Sequence, residues 1–426
     1  MITLIVVLFC GTAVLVDAAL GRSPHADEIE QLFQRPVNAR ISNSILIDAV
    51  LDVPLLVRKY RYPLEVHHVR TTDGYILGMH RIPHGRGRNN GADLDRPVVF
   101  LMHGLLSSSA DWVLMGPGSA FAYVLADQGY DVWMGNARGN YYSRNHTILN
   151  PDTVPLFWNF SWDEIGNIDL PTMITYVLRH TGKERLHYIG HSQGTTAFFV
   201  MGSLRPEYNE KIISMHALAP VAYMAHSGSH LIKSISELSN PLYTLTRMVG
   251  IGEFLPNHKL VTWAGQVLCR EKAISQPMCS NILFLLGGWN EDQHNATMVP
   301  VKLGHTPAGA SVKQFAHYGQ SMSEGQFRRF DHGSLLGNIL LYGTPQPPRY
   351  DLSKVTSPVF LHYSPSDALA DVRDVDRLFA ELGRPVGKFR IPDDRFGHLD
   401  FIWGIDANKI VYERVINLLR AMDVHG

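Results

Sequence analysis

Short apolar runs alternate along the chain with segments of helical periodicity. The runs cover residues 98–104, 130–135, 185–190, 212–220, 357–363 and 388–392, and helical patterns cover 119–128, 169–181 and 405–422. Strands that alternate with helices predict an α/β fold with a mostly parallel sheet and helices on both faces. Reactive side chains in such sheets lie at the carboxyl ends of strands. Those positions hold His103, Gly104, Ser192, Asp367 and the loop of His398.

Residues 221–345 break this alternation. The region is rich in Ser, His, Met, Phe and Leu and has helical periodicity in 230–250 and 275–287. A long helical insertion at the active edge of a sheet is typical of a cap or lid. We therefore expect a core in two parts, residues 21–220 and 346–426, and a cap between them. An independent second domain with its own task is the alternative.

The first sixteen residues, MITLIVVLFCGTAVLV, form an apolar run of the length found in signal peptides. Small residues follow at Ala18 and Ala19, so we expect residues 1–20 to be a signal peptide cleaved between Ala18 and Gly21. An uncleaved N-terminal anchor is the alternative. No later stretch is long and apolar enough to span a bilayer, so the mature chain should follow the secretory route without a transmembrane segment.

Composition narrows the class of protein. The chain has 426 residues, 45% of them hydrophobic and 18% charged, and its formal net charge is −1. A chain this apolar and neutral is not a disordered protein, and it lacks the basic excess that nucleic-acid binding needs. If all 21 His were protonated, the net charge would rise to about +20. This property favours a protein exposed to acid.

Three cysteines occur, and Cys10 leaves with the signal peptide. Cys269 and Cys279 are close in sequence, and in an oxidising compartment we expect them to pair, which would stabilise the fold by roughly 3 kcal/mol. Two separate buried thiols are the alternative. The chain has no CxxC or HExxH spacing, so no metal site and no cofactor are expected.

Three asparagines lie in the sequence pattern of a glycosylation site. The pattern Asn-x-Ser/Thr begins at Asn145, Asn159 and Asn295. Because about two such patterns arise by chance in this composition, they are weak evidence for attached sugars.

The segment Gly190-His191-Ser192-Gln193-Gly194 has the pattern G-x-S-x-G directly between an apolar run and a helical pattern. This order of strand, turn and helix is what a nucleophile elbow requires. The two glycines allow a sharp turn, and the helix N-terminus favours a developing negative charge. We expect Ser192 to be a nucleophile. A tight turn with a capping serine is the alternative.

A serine hydroxyl needs a base, and in this arrangement the chain order is Ser, acid, His. His398 follows the last apolar run, whereas His362 lies inside a strand pattern and His425 in the terminal tail, so His398 is the expected base. Asp367 follows the fifth run and is the expected acid. Asp371, inside a helical pattern, is its nearest rival, and a capping role is the other interpretation of Asp367.

The oxyanion of a tetrahedral intermediate needs two donors. The backbone N–H of Gln193, the residue after the nucleophile, is one expected donor. The loop MHGLLSSSADW follows an early apolar run, which makes the backbone N–H of Leu105 the expected second donor.

Together these motifs resemble the acid lipase family, which includes the gastric and lysosomal lipases. The resemblance extends from about residue 45 to the C-terminus and rests on VRTTDGYILGMHRIP, FLMHGLLSSSADW, VWMGNARGNYYSR, FWNFSWDEIGNIDLP, LHYIGHSQGTT, GHLDFIWG and RRFDHGSLLGNILLYGTPQPPRYDLSKV. It implies an α/β-hydrolase fold with an inserted helical cap and lid. It also implies a secreted or lysosomal serine ester hydrolase for neutral lipids such as triacylglycerols or cholesteryl esters, often active in acid.

Carried over by position, the family's triad is Ser192, Asp367 and His398, its oxyanion donors are Leu105 and Gln193, and its cap disulfide matches Cys269 and Cys279. Two departures are visible. A third cysteine expected shortly after the pair is absent, with Gly287 near its place, and YSPSD replaces a turn rich in Gly and Asn before the acid.

Two other functions remain open at this stage. One is a lipid carrier or storage protein on the same fold, against which the complete set of triad residues argues. The other is a soluble short-chain esterase or serine peptidase that uses the same residues. A cap rich in Leu, Met, Phe and Trp favours a long-chain lipid at a lipid–water interface as the substrate.

Overall fold

The structure, a computed structural model, describes residues 43–86, 95–228, 243, 250–254, 290 and 292–425. Eight strands form one sheet in the order β1-β2-β4-β3-β5-β6-β9-β10. Their bounds are β1 Glu65–Arg70, β2 Ile76–Ile82, β3 Val98–Met102, β4 Asp131–Gly135, β5 Leu186–His191, β6 Ile212–Leu218, β9 Val359–Tyr363 and β10 Pro385–Arg390. Two short strands, β7 Glu253–Phe254 and β8 Ala310–Ser311, form a separate antiparallel ladder.

The six apolar runs of the sequence all become strands, and neighbouring strands from β4 to β10 pair in parallel. The predicted mostly parallel sheet is confirmed. β1 and β2 were missed by the sequence patterns, and they extend one edge in antiparallel pairing. For β1 the physical reason is burial, because β3, β4 and β5 are buried along their whole length whereas β1 (EVHHVR) alternates between half-buried and exposed positions. β2 is mostly buried, but Gly, His and Arg interrupt its apolar run (ILGMHRI).

Helices connect the strands. Their bounds are Asn43–Asp48, Val53–Lys59, Phe121–Asp127, Trp162–Glu164, Leu170–Thr181, Gln193–Leu204, Val299–His305, Val312–Glu324, Leu335–Tyr342, Val372–Glu381, Asp400–Trp403 and Glu413–His425. Shorter 3-10 segments cover Ser109–Trp112, Pro155–Trp158, Pro206–Lys211, Ala296–Met298 and Leu352–Lys354, and π-helical turns cover Ile165–Asp169 and Asn408–Tyr412. The predicted helices at 119–128, 169–181 and 405–422 are all present, the last beginning as a π-helical turn.

Two hydrophobic cores lie on opposite faces of the sheet. On β3, Phe100 belongs to one core and its neighbours Val99 and Leu101 to the other, as the two-residue period of a strand requires. On the second face, Phe121 stacks on Tyr412 of the C-terminal segment with ring centroids 4.0 Å apart. The sheet is therefore covered on both sides, as the sequence predicted.

The described part of segment 221–345 packs directly on the core. Ser311 Oγ donates to the carbonyl oxygen of Phe160 at 2.5 Å, and Arg329 Nε donates to Asp163 Oδ2 at 2.8 Å. A Cβ added at Gly304 would lie 2.1 Å from the carbonyl oxygen of Ala49, so the backbones are in close contact there. The helical patterns at 230–250 and 275–287 fall almost entirely outside the described residues, and the cap assignment stays a prediction.

Several other predictions concern residues outside the described ranges. The signal peptide at 1–20 and the pair Cys269 and Cys279 are among them. Of the three glycosylation candidates, Asn145 and Asn159 are exposed and Asn295 is half-buried. Across the described ranges, no helix is both long and apolar enough to cross a membrane.

Many histidines are buried rather than free to gain charge. Burial lowers the pKa of His80, His191, His294, His317 and His362 to about 3 and that of His103 to about 4, and it places the pKa of His216 well below its usual value. The net charge of about +20 that the composition allows is therefore not reached at pH 5, because these side chains remain neutral there.

Candidate active site

Ser192 lies at the sharp turn between β5 and the helix Gln193–Leu204. Its φ of 51° and ψ of −119° are strained backbone angles for a residue with a side chain. A Cβ at Gly194 would lie 2.2 Å from the carbonyl oxygen of Met102, and one at Gly190 would lie 2.8 Å from the carbonyl carbon of Gly194. The two glycines are therefore required by close backbone packing, and the turn presents Ser192 Oγ at the carboxyl edge of the sheet.

The structure brings Ser192, His398 and Asp367 together. Ser192 Oγ lies 2.8 Å from His398 Nε2, and His398 Nδ1 lies 2.9 Å from both carboxylate oxygens of Asp367. Because a carboxylate only accepts, Nδ1 carries the proton and donates to Asp367, which leaves Nε2 free to accept from the Ser192 hydroxyl. His398 and Asp367 are both buried.

The loop after β9 holds Asp367. Its Oδ1 accepts the backbone N–H groups of Leu369 and Ala370, both at 2.9 Å, so it caps a turn while it faces His398. Burial raises the pKa of this carboxyl, but the charge and hydrogen bond of His398 and the two amides lower it further, so the net pKa lies below its usual value. Asp367 therefore stays ionised in mild acid.

The alternative candidates for the acid and the base lie away from Ser192. Asp371 caps the helix Val372–Glu381 and accepts from the Arg373 guanidinium at 2.9 Å. His362 is buried on β9, where its Nε2 lies 3.3 Å from His216 Nδ1. His425 ends the C-terminal helix, and its side chain is not described. Within the described residues, neither Asp371 nor His362 forms a hydrogen bond with Ser192 or His398.

Two hydrogen bonds hold the loop of His398 in position. His191 Nε2 donates to the carbonyl oxygen of His398 at 2.9 Å, and the N–H of Gly397 donates to Asp400 Oδ2 at 2.7 Å. Burial raises the pKa of Asp400 to about 7, against the opposing effect of the Gly397 hydrogen bond. Sequence reasoning missed both anchoring residues, although each lies within two positions of a predicted site residue.

The loop after β3 lies beside the serine. A Cβ at Gly104 would be 3.2 Å from Ser192 Cβ, a tight contact that would require the loop or the serine to shift slightly. His103 Nδ1 donates to the carbonyl oxygen of Gly104 at 2.7 Å, and His103 Nε2 accepts the N–H of Ala137 at 3.1 Å. These bonds hold the segment that leads into Leu105.

The backbone N–H groups of Leu105 and Gln193 are the expected oxyanion donors. Among the described residues, neither N–H donates a hydrogen bond to a protein acceptor. Both are therefore available to an external oxyanion, and their role stays a prediction.

A residue of segment 221–345 contacts the residue after Ser192, which no sequence pattern indicated. Gln193 Nε2 donates to Gln314 Oε1 at 2.7 Å, and Gln314 lies on the helix Val312–Glu324. One turn further along that helix, the Tyr318 hydroxyl lies 3.1 Å from Thr196 Oγ1. The helix Val312–Glu324 therefore packs against the start of the helix that follows Ser192.

One group of side chains within the described ranges has the composition of a metal site, and it lies between the edge strand β1 and the helix Leu170–Thr181. It consists of Glu65, His67 and His180. Arg81 Nη1 lies 2.9 Å from Glu65 Oε2 and 3.4 Å from His180 Nε2. A guanidinium in this position already neutralises the carboxylate and repels a cation.

Comparison with known proteins identifies the family of the chain. The sequence matches a family model described as a partial alpha/beta-hydrolase lipase region over residues 53–116 and one described as the alpha/beta hydrolase fold over residues 97–405. It is 46% identical over 374 residues to Lipase 1 of Drosophila melanogaster, covering 87% of this chain and 80% of that protein. It is 40% identical over 373 residues to gastric triacylglycerol lipase of Rattus norvegicus, covering 87% and 92%. It is also 40% identical over 370 residues to lysosomal acid lipase/cholesteryl ester hydrolase of Homo sapiens, covering 87% and 91%.

Proposed function

The chain belongs to the acid lipase family of α/β-hydrolases, and from this premise we propose that it hydrolyses the carboxylic esters of neutral lipids. Triacylglycerols and cholesteryl esters, which the names of its relatives specify, are the substrates we assign to it. The observation that carries the proposal is the line of hydrogen bonds from Ser192 Oγ through His398 to Asp367.

In the first half of the reaction, His398 Nε2 accepts the proton of Ser192 Oγ as that oxygen attacks the ester carbonyl carbon. Asp367 holds the Nδ1–H tautomer and stabilises the imidazolium that forms. The tetrahedral intermediate collapses when the bond to the alcohol oxygen breaks and His398 gives its proton to that oxygen. The alcohol leaves, and the acyl group remains on Ser192.

In the second half, water replaces the alcohol. His398 takes a proton from the water as the water oxygen attacks the acyl carbon. The bond between the acyl carbon and Ser192 Oγ then breaks. The proton returns to Ser192, and the fatty acid is released. In both halves, the N–H groups of Leu105 and Gln193 are the donors we assign to the oxyanion, each contributing ~2.7–4 kcal/mol to the transition state.

We assign residues 221–345 to a cap that covers the acyl site. The hydrogen bond between Gln193 and Gln314 supports this role, because it joins the insertion to the residue after the nucleophile. A second support is the backbone bond from the Ala308 N–H to the carbonyl oxygen of Leu106 at 2.7 Å, next to the expected oxyanion donor. A cap in this position would exclude water from an apolar acyl chain.

The localisation of the protein is part of the same proposal. Its relatives are named gastric and lysosomal lipases, which supports a secreted or lysosomal protein. The apolar N-terminal run supports entry to the secretory pathway through a signal peptide at 1–20. In that oxidising compartment, Cys269 and Cys279 would form a disulfide, and the exposed Asn145 and Asn159 would be open to glycosylation.

The test compares wild type with Ser192→Ala on a triacylglycerol emulsion, a cholesteryl ester, a short dissolved ester and a peptide amide, at pH 5 and pH 7.5. We expect wild type to prefer the long-chain lipids and Ser192→Ala to lose at least ~10³-fold in turnover with an unchanged melting temperature. A fluorophosphonate probe should label wild type and not the variant.

Three outcomes would reject the proposal. Preference for the short dissolved ester would indicate a carboxylesterase. Cleavage of a peptide amide in preference to every ester would indicate a peptidase. Absence of both probe labelling and ester turnover would indicate a lipid carrier.

A further inference from the structure

The helix Leu335–Tyr342 exposes its apolar side chains and buries a polar one. Leu335, Leu336, Ile339, Leu340 and Leu341 are between 45% and 76% exposed. Asn338, on the same helix, is 2% exposed. A helix on the surface of a soluble protein normally has the opposite arrangement, with its apolar stripe toward the core. We call these five side chains the leucine patch.

Polar contacts fix the helix in this orientation. Asn338 Nδ2 donates to Asp331 Oδ1 at 3.1 Å and to the carbonyl oxygen of Pro345 at 3.0 Å, and its Oδ1 accepts the N–H of His332 at 3.1 Å. On the same inner side, the Tyr342 hydroxyl donates to the carbonyl oxygen of Phe330 at 3.0 Å. The hydrogen bonds therefore hold the polar side inward and leave the leucine patch in water.

The ends of the helix are also well defined. Ser334 Oγ accepts the N–H of Gly337 at 3.0 Å, and Gly343 closes the last turn with a φ of 75°. The patch is therefore a folded feature of this surface. Exposure of so many large apolar side chains in one place marks an interaction site.

The size of the patch argues against a second protein copy as its occupant. A leucine side chain carries on the order of 100 Å² of apolar surface, so five side chains that are about two-thirds exposed offer roughly 300 Å². A stable protein interface needs about 800 Å² from each partner. A fluid lipid surface has no such threshold, because each side chain inserts on its own.

The charge of the patch selects the kind of lipid. Residues 333–348 contain no Asp, Glu, Lys or Arg. An anionic bilayer is normally bound through clustered Lys and Arg beside the apolar face. Beside this helix, Arg328 is paired with Glu324 and Arg329 with Asp163, so neither arginine is left to bind an anionic headgroup. The apolar side chains therefore match an uncharged surface, such as that of a triacylglycerol droplet.

We propose that the leucine patch docks this protein on the surface of neutral-lipid droplets. The inference rests on the proposed lipase function and adds the surface through which the enzyme meets its substrate. A chain of contacts links the patch to the active site. The carboxylate of Asp331 accepts from Asn338, and the backbone N–H of Asp331 donates to Gln320 Oε1 at 2.8 Å. Gln320 lies on the same helix as Gln314, the partner of Gln193.

The experiment measures flotation of the protein with a triolein emulsion. The Ser192→Ala chain is compared with the same chain carrying Leu336→Gln and Leu340→Gln, so that no substrate is consumed. We expect the double substitution to lower the partition coefficient at least about tenfold. With Ser192 intact, the same two substitutions should leave kcat/KM for a short dissolved ester unchanged, which shows that the fold is preserved.

The matched control carries Leu55→Gln and Ile405→Gln, which are exposed apolar residues outside the patch and about half exposed. This control should float like the parent. The proposal is overturned if the patch variant floats like the parent or if both double variants lose binding equally. It is also overturned if the protein binds phosphatidylserine vesicles more tightly than it binds triolein. A wild-type dimer that the patch variant converts to a monomer would also overturn it. Because flotation requires no turnover, failed docking and failed hydrolysis are separate results.

Discussion

His191 Nε2 lies 2.9 Å from the carbonyl oxygen of His398 and donates a hydrogen bond to it. The residue immediately before Ser192 therefore anchors the backbone of the residue whose imidazole faces Ser192. Burial and the neighbouring charge of His398 lower the pKa of His191 to about 3, so it remains a neutral donor in mild acid and at neutral pH. We interpret His191 as a positioning residue that sets the distance between the nucleophile and the base.

Replacing His191 by Phe should remove this anchor and keep an aromatic ring in the pocket. We expect kcat for a soluble ester to fall ~10–100-fold with little change in KM, because a base displaced by a fraction of an ångström loses that much rate. His191→Gln, which retains an N–H donor, should recover part of the loss. Since His191 does not titrate near neutrality, neither variant should shift the acidic limb of the pH–rate profile. An unchanged kcat in His191→Phe would reject the positioning role.

The two neighbouring carboxylates Asp367 and Asp371 should differ sharply. Asp367→Asn removes the charge that faces His398 Nδ1, and we expect kcat to fall ~10³–10⁴-fold because the imidazole loses its required tautomer. Asp371→Asn keeps an oxygen that can cap the helix and removes only the ion pair with the Arg373 guanidinium, so it should keep kcat within about twofold. Steady-state kinetics on a dissolved ester measure both. Equal losses in the two variants would contradict the assignment of the acid.

The tight backbone packing at the turn of Ser192 predicts that two glycines respond differently to replacement by alanine. Gly194→Ala places a methyl group where the carbonyl oxygen of Met102 lies, so the turn must shift, and we expect activity to be lost with a lower melting temperature. Gly228 has open space around its Cβ position, and Gly228→Ala should behave like wild type. Thermal unfolding monitored by circular dichroism, together with ester turnover, tests the pair. A fully active Gly194→Ala enzyme would show that the turn tolerates a side chain.

Buried histidines should make the fold less stable in acid. A histidine whose folded pKa is depressed contributes stability that is present above its unfolded pKa of ~6.5 and is lost as pH falls toward the folded value. Burial lowers the pKa of His362 to about 3. Between pH 6 and pH 4, His362→Phe should therefore reduce the slope of unfolding free energy against pH by about 1.4 kcal/mol per pH unit. Urea unfolding at several pH values measures this slope, and an identical slope would mean that His362 protonates in the folded state.

Local patterns were sufficient for much of this protein. Buried parallel strands such as β3 are continuous apolar runs, so they were visible in the sequence, whereas the half-exposed β1 and its partner β2 were not. The elbow was equally visible, because its glycines and its place between a strand and a helix are consecutive in the chain. The order Ser, Asp, His then selected Ser192, Asp367 and His398 as one expected group.

Contacts between distant segments were decided only by the tertiary structure. The bonds from His191 to His398 and from Gln193 to Gln314 join residues 207 and 121 positions apart, and no local pattern specifies such a pair. The same holds for the leucine patch, since Leu336 and Leu340 in a helix read as core residues until the bonds of Asn338 set which side faces water. Sequence periodicity shows that a helix has two faces, and packing determines which of them is buried.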